Sequence, residues 1–298
     1  MNSNITWEKH DVIPDVWVGD SGQSGNTVAI FGGVHGDEQT GIKVVEQSKE
    51  VLNLDAGTVY LALGNPTAIA INKRATKPGN NLNREFKDLD SNYVDTDPDT
   101  WPEEVRRAQQ LLPLLRESRA LLDLHDFSDP NGPIFIITEE RGFGVARAIG
   151  APIISSGWST AEPGGSDAFM ESLEKVGICY ELGYKAEPEK VLERGHDAVA
   201  RFLIANEMLE GNLPPLFTDP RFIHNSRAFK RHTEDYELLL PRGTRTFDTL
   251  QKGQEIARLD GKVIEAQEGQ VVIFPMSPES TPIGTEAFSL GHIFTPAA

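Results

Sequence analysis

The sequence predicts an α/β protein built on a mixed, largely parallel sheet flanked by helices, followed by a smaller all-β unit. Three observations carry this. Short apolar runs alternate with helical periodicity through the first two thirds of the 298 residues; the first two runs are joined by one amphipathic stretch; and helical periodicity is lost after about residue 213. Thr27–Phe31 is a continuous apolar run that reads as a buried strand, and Thr58–Leu63 is another. Between them, Thr40–Leu52 places Ile42, Val45, Val51 and Leu52 among polar residues, the pattern of an amphipathic helix. Strand, helix and strand in that order imply a crossover and parallel pairing. Glu103–Leu115 reads as a helix whose end is left open by Pro113. Ala120–Leu124, Ile134–Thr138 and Gly177–Leu182 are further buried strands. Val191–Leu209 is a long helix closed by Gly211 and Pro214-Pro215, which sets a boundary between a first unit, 1–212, and a second, 213–298. In the second unit, Tyr236–Leu240, Glu255–Leu259 and Gln270–Phe274 are short apolar segments separated by glycines and turns, as in a small β module. Lys73–Pro102 is rich in Asn, Asp and Pro, and a loop of that length inside a folded unit points to function.

Composition narrows the partners. Hydrophobic residues make up 39% and charged residues 24%, enough apolar content for a real core. The formal charge of −17 leaves no basic excess to displace counterions from a nucleic acid, so none is expected as a partner. An anionic ligand would have to be held by local arginines against the global field. A single cysteine, Cys179, forbids an internal disulfide and suits a reducing compartment, and its apolar run reads as core packing rather than nucleophile. Met1–Trp7 has no basic region followed by an apolar one, and no run approaches the roughly 18 apolar residues of a membrane span. The expected location is cytoplasmic, with no membrane partner. The chain is open to association as a homo-oligomer.

The residues that could carry chemistry sit at strand ends. Phe31-Gly32-Gly33-Val34-His35-Gly36-Asp37-Glu38 ends an apolar strand in glycines, then supplies a histidine and a glutamate three residues apart. Imidazole nitrogen and carboxylate oxygen both ligate zinc, and a catalytic zinc takes three protein ligands and keeps a position open. His125, in Leu122-Asp123-Leu124-His125, is the third candidate. Open α/β sheets place their sites beyond the carboxyl ends of strands, where both histidines fall. Asp123, two residues before His125, either backs that histidine or is a buried carboxylate paired elsewhere. Glu181, in Tyr180-Glu181-Leu182-Gly183, closes an apolar strand, where burial would raise its pKa toward the range useful to a general base. Asn83 and Arg84 lie side by side in the polar loop, and a guanidinium fork beside an amide suits a carboxylate. Arg74 could stabilise a developing oxyanion. Ser166 or Asp167, after Pro163-Gly164-Gly165, is placed to cap a helix.

Taken in order, His35-x-x-Glu38, Asn83-Arg84, Asp123-Leu124-His125 and Glu181-Leu182-Gly183 resemble the succinylglutamate desuccinylase/aspartoacylase family, part of the wider zinc carboxypeptidase group. The resemblance spans roughly residues 27–185, with a C-terminal counterpart beyond 213. It implies a carboxypeptidase-like catalytic domain over 1–212 and a β-rich domain over 213–298 that covers the cleft. It also implies one zinc ion per chain on His35, Glu38 and His125, with Glu181 activating water and later protonating the leaving amine. Arg84 and Asn83 would hold a substrate carboxylate, and Arg74, or Thr76 or Lys77 in a loop about two residues longer than usual, would polarise the carbonyl. The implied reaction is hydrolysis of the amide of a small N-acyl amino acid. The alternatives are a metallocarboxypeptidase acting on short peptides and a catalytically idle binding protein. Two departures mark the substrate side. Glu286-Ala287-Phe288 is present, yet the tyrosine that precedes this segment in aspartoacylases is not, which sets N-acetylaspartate apart; and Asn80-Asn81 stands where the family often has an aspartate. Pro275-Met276-Ser277 lacks the lysine that biotinyl and lipoyl carrier domains modify, so a carrier role is not expected.

Overall fold

The computed structural model describes residues 5–296. Its elements begin with β1 (Thr6–Lys9), β2 (Val16–Asp20), β3 (Thr27–Gly32), α1 (Gln39–Val51), β4 (Thr58–Leu63) and α2 (Pro66–Ala70). There follow α3 (Glu103–Glu117), β5 (Ala120–Phe127), β6 (Phe135–Ile137), α4 (Phe143–Ile149), β7 (Ile153–Ser156), α5 (Trp158–Ala161), α6 (Ser166–Ser172), β8 (Val176–Tyr184) and α7 (Pro188–Ala205). The remainder is β-rich: β9 (Arg221–Lys230), β10 (Tyr236–Leu238), β11 (Glu255–Leu259), β12 (Lys262–Glu265), β13 (Gln270–Ile273) and β14 (Glu286–Phe294).

Eleven strands form one sheet in the order β1-β2-β4-β3-β5-β8-β6-β7-β9-β14-β13. Its centre is parallel, with β4, β3, β5 and β8 side by side, while β6 and the edge strands introduce antiparallel pairs. β9 pairs in parallel with β7, so the sheet continues into the C-terminal segment. A separate antiparallel sheet holds β10, β11 and β12. This is the mixed, mostly parallel sheet with a smaller β-rich part that the sequence predicts.

Both faces of the central strands are covered, which is why they read as continuous apolar runs. Val28, Ile30, Leu122, Ile178 and Leu182 pack on one face with Ile42 and Val45 of α1 and Val199 and Phe202 of α7. Ala29, Phe31 and Leu121 pack on the other with Leu111, Leu112 and Leu115 of α3 and Phe169 and Met170 of α6. The edge strand β1 and its neighbour β2 gave no such signal, because β1 is almost wholly exposed and only part of β2 is buried. β5 runs three residues past Leu124, so His125 lies within the strand rather than after it. Pro113 does not end α3; it faces solvent near the last turn, where water can take the carbonyl its missing amide leaves free.

The parallel core fixes where a site can form. From β3 the chain crosses to β4 on one side, then returns to β5 on the other, making the gap between β3 and β5 a topological switch point. The loop after β3 enters that gap only because it is glycine-rich. Gly33 has φ +72°, and a Cβ on Gly32 would run into the carbonyl of Gly41 at the start of α1. Gly32→Ala should therefore push α1 off the β3 end and destabilise the protein by about 1–3 kcal/mol, the usual cost of overpacking, measured as a lower urea midpoint.

Candidate metal centre and carboxylate clamp

His35 and Glu38 come from the β3–α1 loop, and His125 comes from β5. One oxygen of Glu38 lies 2.8 Å from His35 Nδ1 and the other lies 2.8 Å from His125 Nδ1. All three side chains are buried, and their donor atoms fall within 4.8 Å of one another. His35 Nε2 is held at 3.0 Å by Asn81 Oδ1, while His125 Nε2 lies 3.2 Å from Asp123 Oδ1, close enough for an ion pair but without hydrogen-bond alignment. Outer oxygens of this kind turn the Nδ1 atoms inward and set the tautomer that a metal needs. Asp123 also accepts a hydrogen bond from Ser166 Oγ at 2.5 Å, so it both backs His125 and has a second partner. Two imidazoles and a carboxylate, converging and buried, are a donor set that fits zinc.

Electrostatics agree with that geometry at His35 and Glu38, whereas at His125 burial would lower the pKa, yet Cys179, Asp123 and Glu38 outweigh it and raise it well above its ordinary value. Burial lowers the pKa of His35, helped by nearby Arg74, which favours the neutral, ligating imidazole. Burial would raise the pKa of Glu38, yet the two histidines outweigh it and hold the carboxylate well below the usual range. Glu181 lies directly opposite His125 in the parallel β5/β8 register. Burial, with Glu38 and Asp126 adding to it against the pull of His125 and Arg74, pushes its pKa up to about 8. A carboxyl that titrates near neutrality can take a proton and return it. The thiol of Cys179 is pushed up by burial, as expected of a packed residue and not a nucleophile.

The polar loop supplies Arg74, whose Nη1 lies 3.2 Å from Glu38 Oε1. The two alternatives are engaged or remote. Thr76 donates both its amide and its hydroxyl to Glu104, each at 2.7 Å, and Lys77 is exposed. Glu104 also accepts from Asn80 Nδ2 at 2.7 Å, which fastens the loop to α3. Sequence reasoning missed Glu104, since a glutamate in the first turn of a helix is ordinary there.

Asn83 and Arg84 sit in a short 3-10 turn, Leu82–Arg84. Asn83 Oδ1 accepts from the Ser166 amide at 3.0 Å, so the start of α6 is capped from outside. Neither Ser166 nor Asp167 caps it: Ser166 is already the first helical residue, and its hydroxyl is committed to Asp123. Arg84 Nη1 donates to the carbonyl of Asn83 at 2.7 Å, and Nη2 donates to Glu162. Glu286, from the Glu286-Ala287-Phe288 segment, brings Oε1 within 3.9 Å of Arg84 Nε. Glu162 was not foreseen; no local pattern distinguishes it from a surface glutamate.

Comparison with known proteins follows the same outline. A sequence model of the succinylglutamate desuccinylase/aspartoacylase catalytic domain matches residues 24–204. A probable aspartoacylase of Nostoc sp. is 28% identical, with 84% of this chain and 90% of that protein covered. An N-alpha-acetyl-L-2,4-diaminobutyric acid deacetylase of Halomonas elongata is 26% identical, covering 79% of this chain and 70% of its own length. Among solved structures, succinylglutamate desuccinylase from Vibrio cholerae superposes with a TM-score of 0.74 at 19% identity, over 97% of this chain and 90% of that one, a likeness of fold.

The capping role of Asn83 is separable from any contact with a ligand. Asn83→Ala should lower stability by about 0.5–2 kcal/mol through the lost cap, while Asn83→Asp, which keeps the acceptor, should recover most of it in urea unfolding.

Proposed function

The chain belongs to the succinylglutamate desuccinylase/aspartoacylase family, and on that premise we propose that it is a zinc-dependent amidohydrolase that cleaves the amide of a small N-acyl amino acid. The observation that carries the reading is the Glu38 carboxylate shared between two buried imidazoles. His35, Glu38 and His125 would hold one zinc ion per chain. When bound, the ion supplies Lewis-acid polarisation of the amide carbonyl and lowers the pKa of water.

The chain's own groups do the rest. Glu181 removes a proton from the water that attacks the carbonyl carbon, then delivers it to the leaving nitrogen as the C–N bond breaks. The products are a carboxylate and a free amine. Arg74, placed on Glu38 and exposed toward solvent, stabilises the negative charge that develops on the carbonyl oxygen. Arg84 receives the substrate carboxylate, aided by Asn83 Nδ2, the donor left over once its oxygen has capped α6. The Halomonas relative, named as a deacetylase of an N-acetylated amino acid, supports this substrate class over short peptides. Among the described residues no helix is long and apolar enough to cross a membrane, and the unpaired, buried Cys179 supports a cytoplasmic setting.

Metal analysis of the purified chain should find one zinc per chain, and chelation should abolish hydrolysis of N-acyl amino acids until zinc is returned. Absence of zinc, with no activity on adding it, would end the reading. Glu181→Gln should keep the metal stoichiometry and lose about a hundred- to ten-thousand-fold in kcat, as removal of a general base does. Near-normal turnover would remove Glu181 from the mechanism.

A further inference from the structure

The guanidinium assigned to the substrate carboxylate is already paired. Arg84 Nη2 donates to Glu162, whose side chain is only 9% exposed. Glu286 approaches from the other side at 3.9 Å, and its own second partner is Lys230 Nζ at 3.8 Å. Two carboxyl groups and two cations therefore meet here; burial raises the pKa of Glu162 against the pull of Arg84, and with both carboxyls ionised the clamp is neutral before any substrate arrives. Glu162 is held there by its backbone and is no loose surface partner. Two residues on, the Gly164 carbonyl accepts from the Phe86 amide at 3.1 Å, and the Ser166 amide donates to Asn83. Those bonds staple the 162–166 segment along both sides of Arg84. Arg74 acts on the charges of both Glu162 and Glu181, so the clamp and the candidate metal cluster share one electrostatic neighbourhood.

A substrate carboxylate that engages Arg84 must share the guanidinium with Glu162. A buried carboxylate that loses part of its counter-charge is strongly destabilised unless another cation replaces it. A substrate with a second carboxylate worsens the imbalance, in a chain whose formal charge is −17. A substrate with an ammonium corrects it, since the ammonium can take up the oxygen of Glu162 that Arg84 releases. We propose that Arg84 and Glu162 form a two-signed clamp that reads a carboxylate and an ammonium together, so that the preferred substrates are N-acylated diamino acids rather than N-acylated acidic amino acids. This rests on the amidohydrolase reading and specifies its substrate class. The ammonium has two sources: the side-chain amine of an Nα-acyl diamino acid, or the α-amine of one acylated on its side chain.

The test measures kcat/KM on the zinc-loaded protein for Nα-acetyl-L-ornithine, Nδ-acetyl-L-ornithine, N-acetyl-L-norvaline as the uncharged counterpart, and N-acetyl-L-glutamate. One ornithine isomer should exceed both norvaline and glutamate by about thirty-fold or more, the least that a desolvated charge pair contributes, and which isomer it is identifies the source of the ammonium. Glu162→Gln, which keeps size and an acceptor, should collapse the ornithine-to-norvaline ratio and raise the glutamate-to-ornithine ratio. Preference for the glutamate compound, or an ornithine preference that survives Glu162→Gln, would overturn the clamp. If no amide is cleaved, the hydrolase reading falls and the clamp is judged separately, by calorimetric binding of free L-ornithine against free L-glutamate to the same protein. Tighter ornithine binding supports the clamp, and tighter glutamate binding overturns it.

Discussion

Glu38 is the constraint on which the rest of the site depends. Its side chain is 8% exposed, and a charge that deep is sustained only by partners in good geometry. Both oxygens are used, one on each imidazole at 2.8 Å, so the separation of His35 and His125 is set by the width of a single carboxylate. That requirement propagates outward. His35 and Glu38 must come from one tight loop, which Gly33 permits by its positive φ, and His125 must come from the neighbouring strand. The parallel register then brings Glu181 opposite His125 with no further adjustment.

A second requirement is to hold an irregular loop of about thirty residues, with only short 3-10 turns of its own, against this cluster. Buried polar contacts do it. They run from Asn81 to His35, through Glu38 to His125, on to Asp123 and Ser166, and from the Ser166 amide back to Asn83. The path leaves the loop at residue 81 and returns to it at residue 83, so the candidate metal cluster and the loop position one another. Such networks specify geometry where their members are satisfied, and here the His125 Nε2–Asp123 Oδ1 link is made by charge and proximity rather than by an aligned hydrogen bond. Glu104 anchors the same loop from α3, which leaves Arg74 free to lean on Glu38.

This explains what could be read from the sequence and what could not. His35, Glu38, His125 and Glu181 were legible because each follows or ends an apolar run, and a parallel sheet gathers such ends at one edge. The central strands were legible for a related reason: buried on both faces, they leave continuous apolar runs. The edge strand β1 and its neighbour β2 lacked that signal. Asn81, Ser166, Glu104 and Glu162 were not legible as site residues, because each acts through a partner tens of residues away and carries no local signature. Asn83 was read as a substrate ligand from its neighbour Arg84, while its oxygen serves a helix more than eighty residues later. The departure at Asn80-Asn81 was visible, but its meaning was not. Only the fold shows that Asn81 backs His35, giving that ring a neutral acceptor where His125 has a carboxylate.

The charged group around Arg84 obeys a different logic from the His35–Glu38–His125 cluster. Its members come from three supports: Arg84 on the polar loop, Glu162 on the segment before α6, and Glu286 with Lys230 on the paired strands β14 and β9. None of these is a candidate metal ligand, and Arg74 is the group whose charge acts on both Glu162 and Glu181. A substitution at 162 or 286 therefore alters the charge a substrate meets while leaving the Glu38 pairing intact. The cluster cannot be altered so freely, because Glu38 is shared between His35 and His125 and all three are buried. On the proposed reading, substrate choice is thus physically easier to change than chemistry on this fold, because the charge at position 162 can be altered without touching His35, Glu38 or His125.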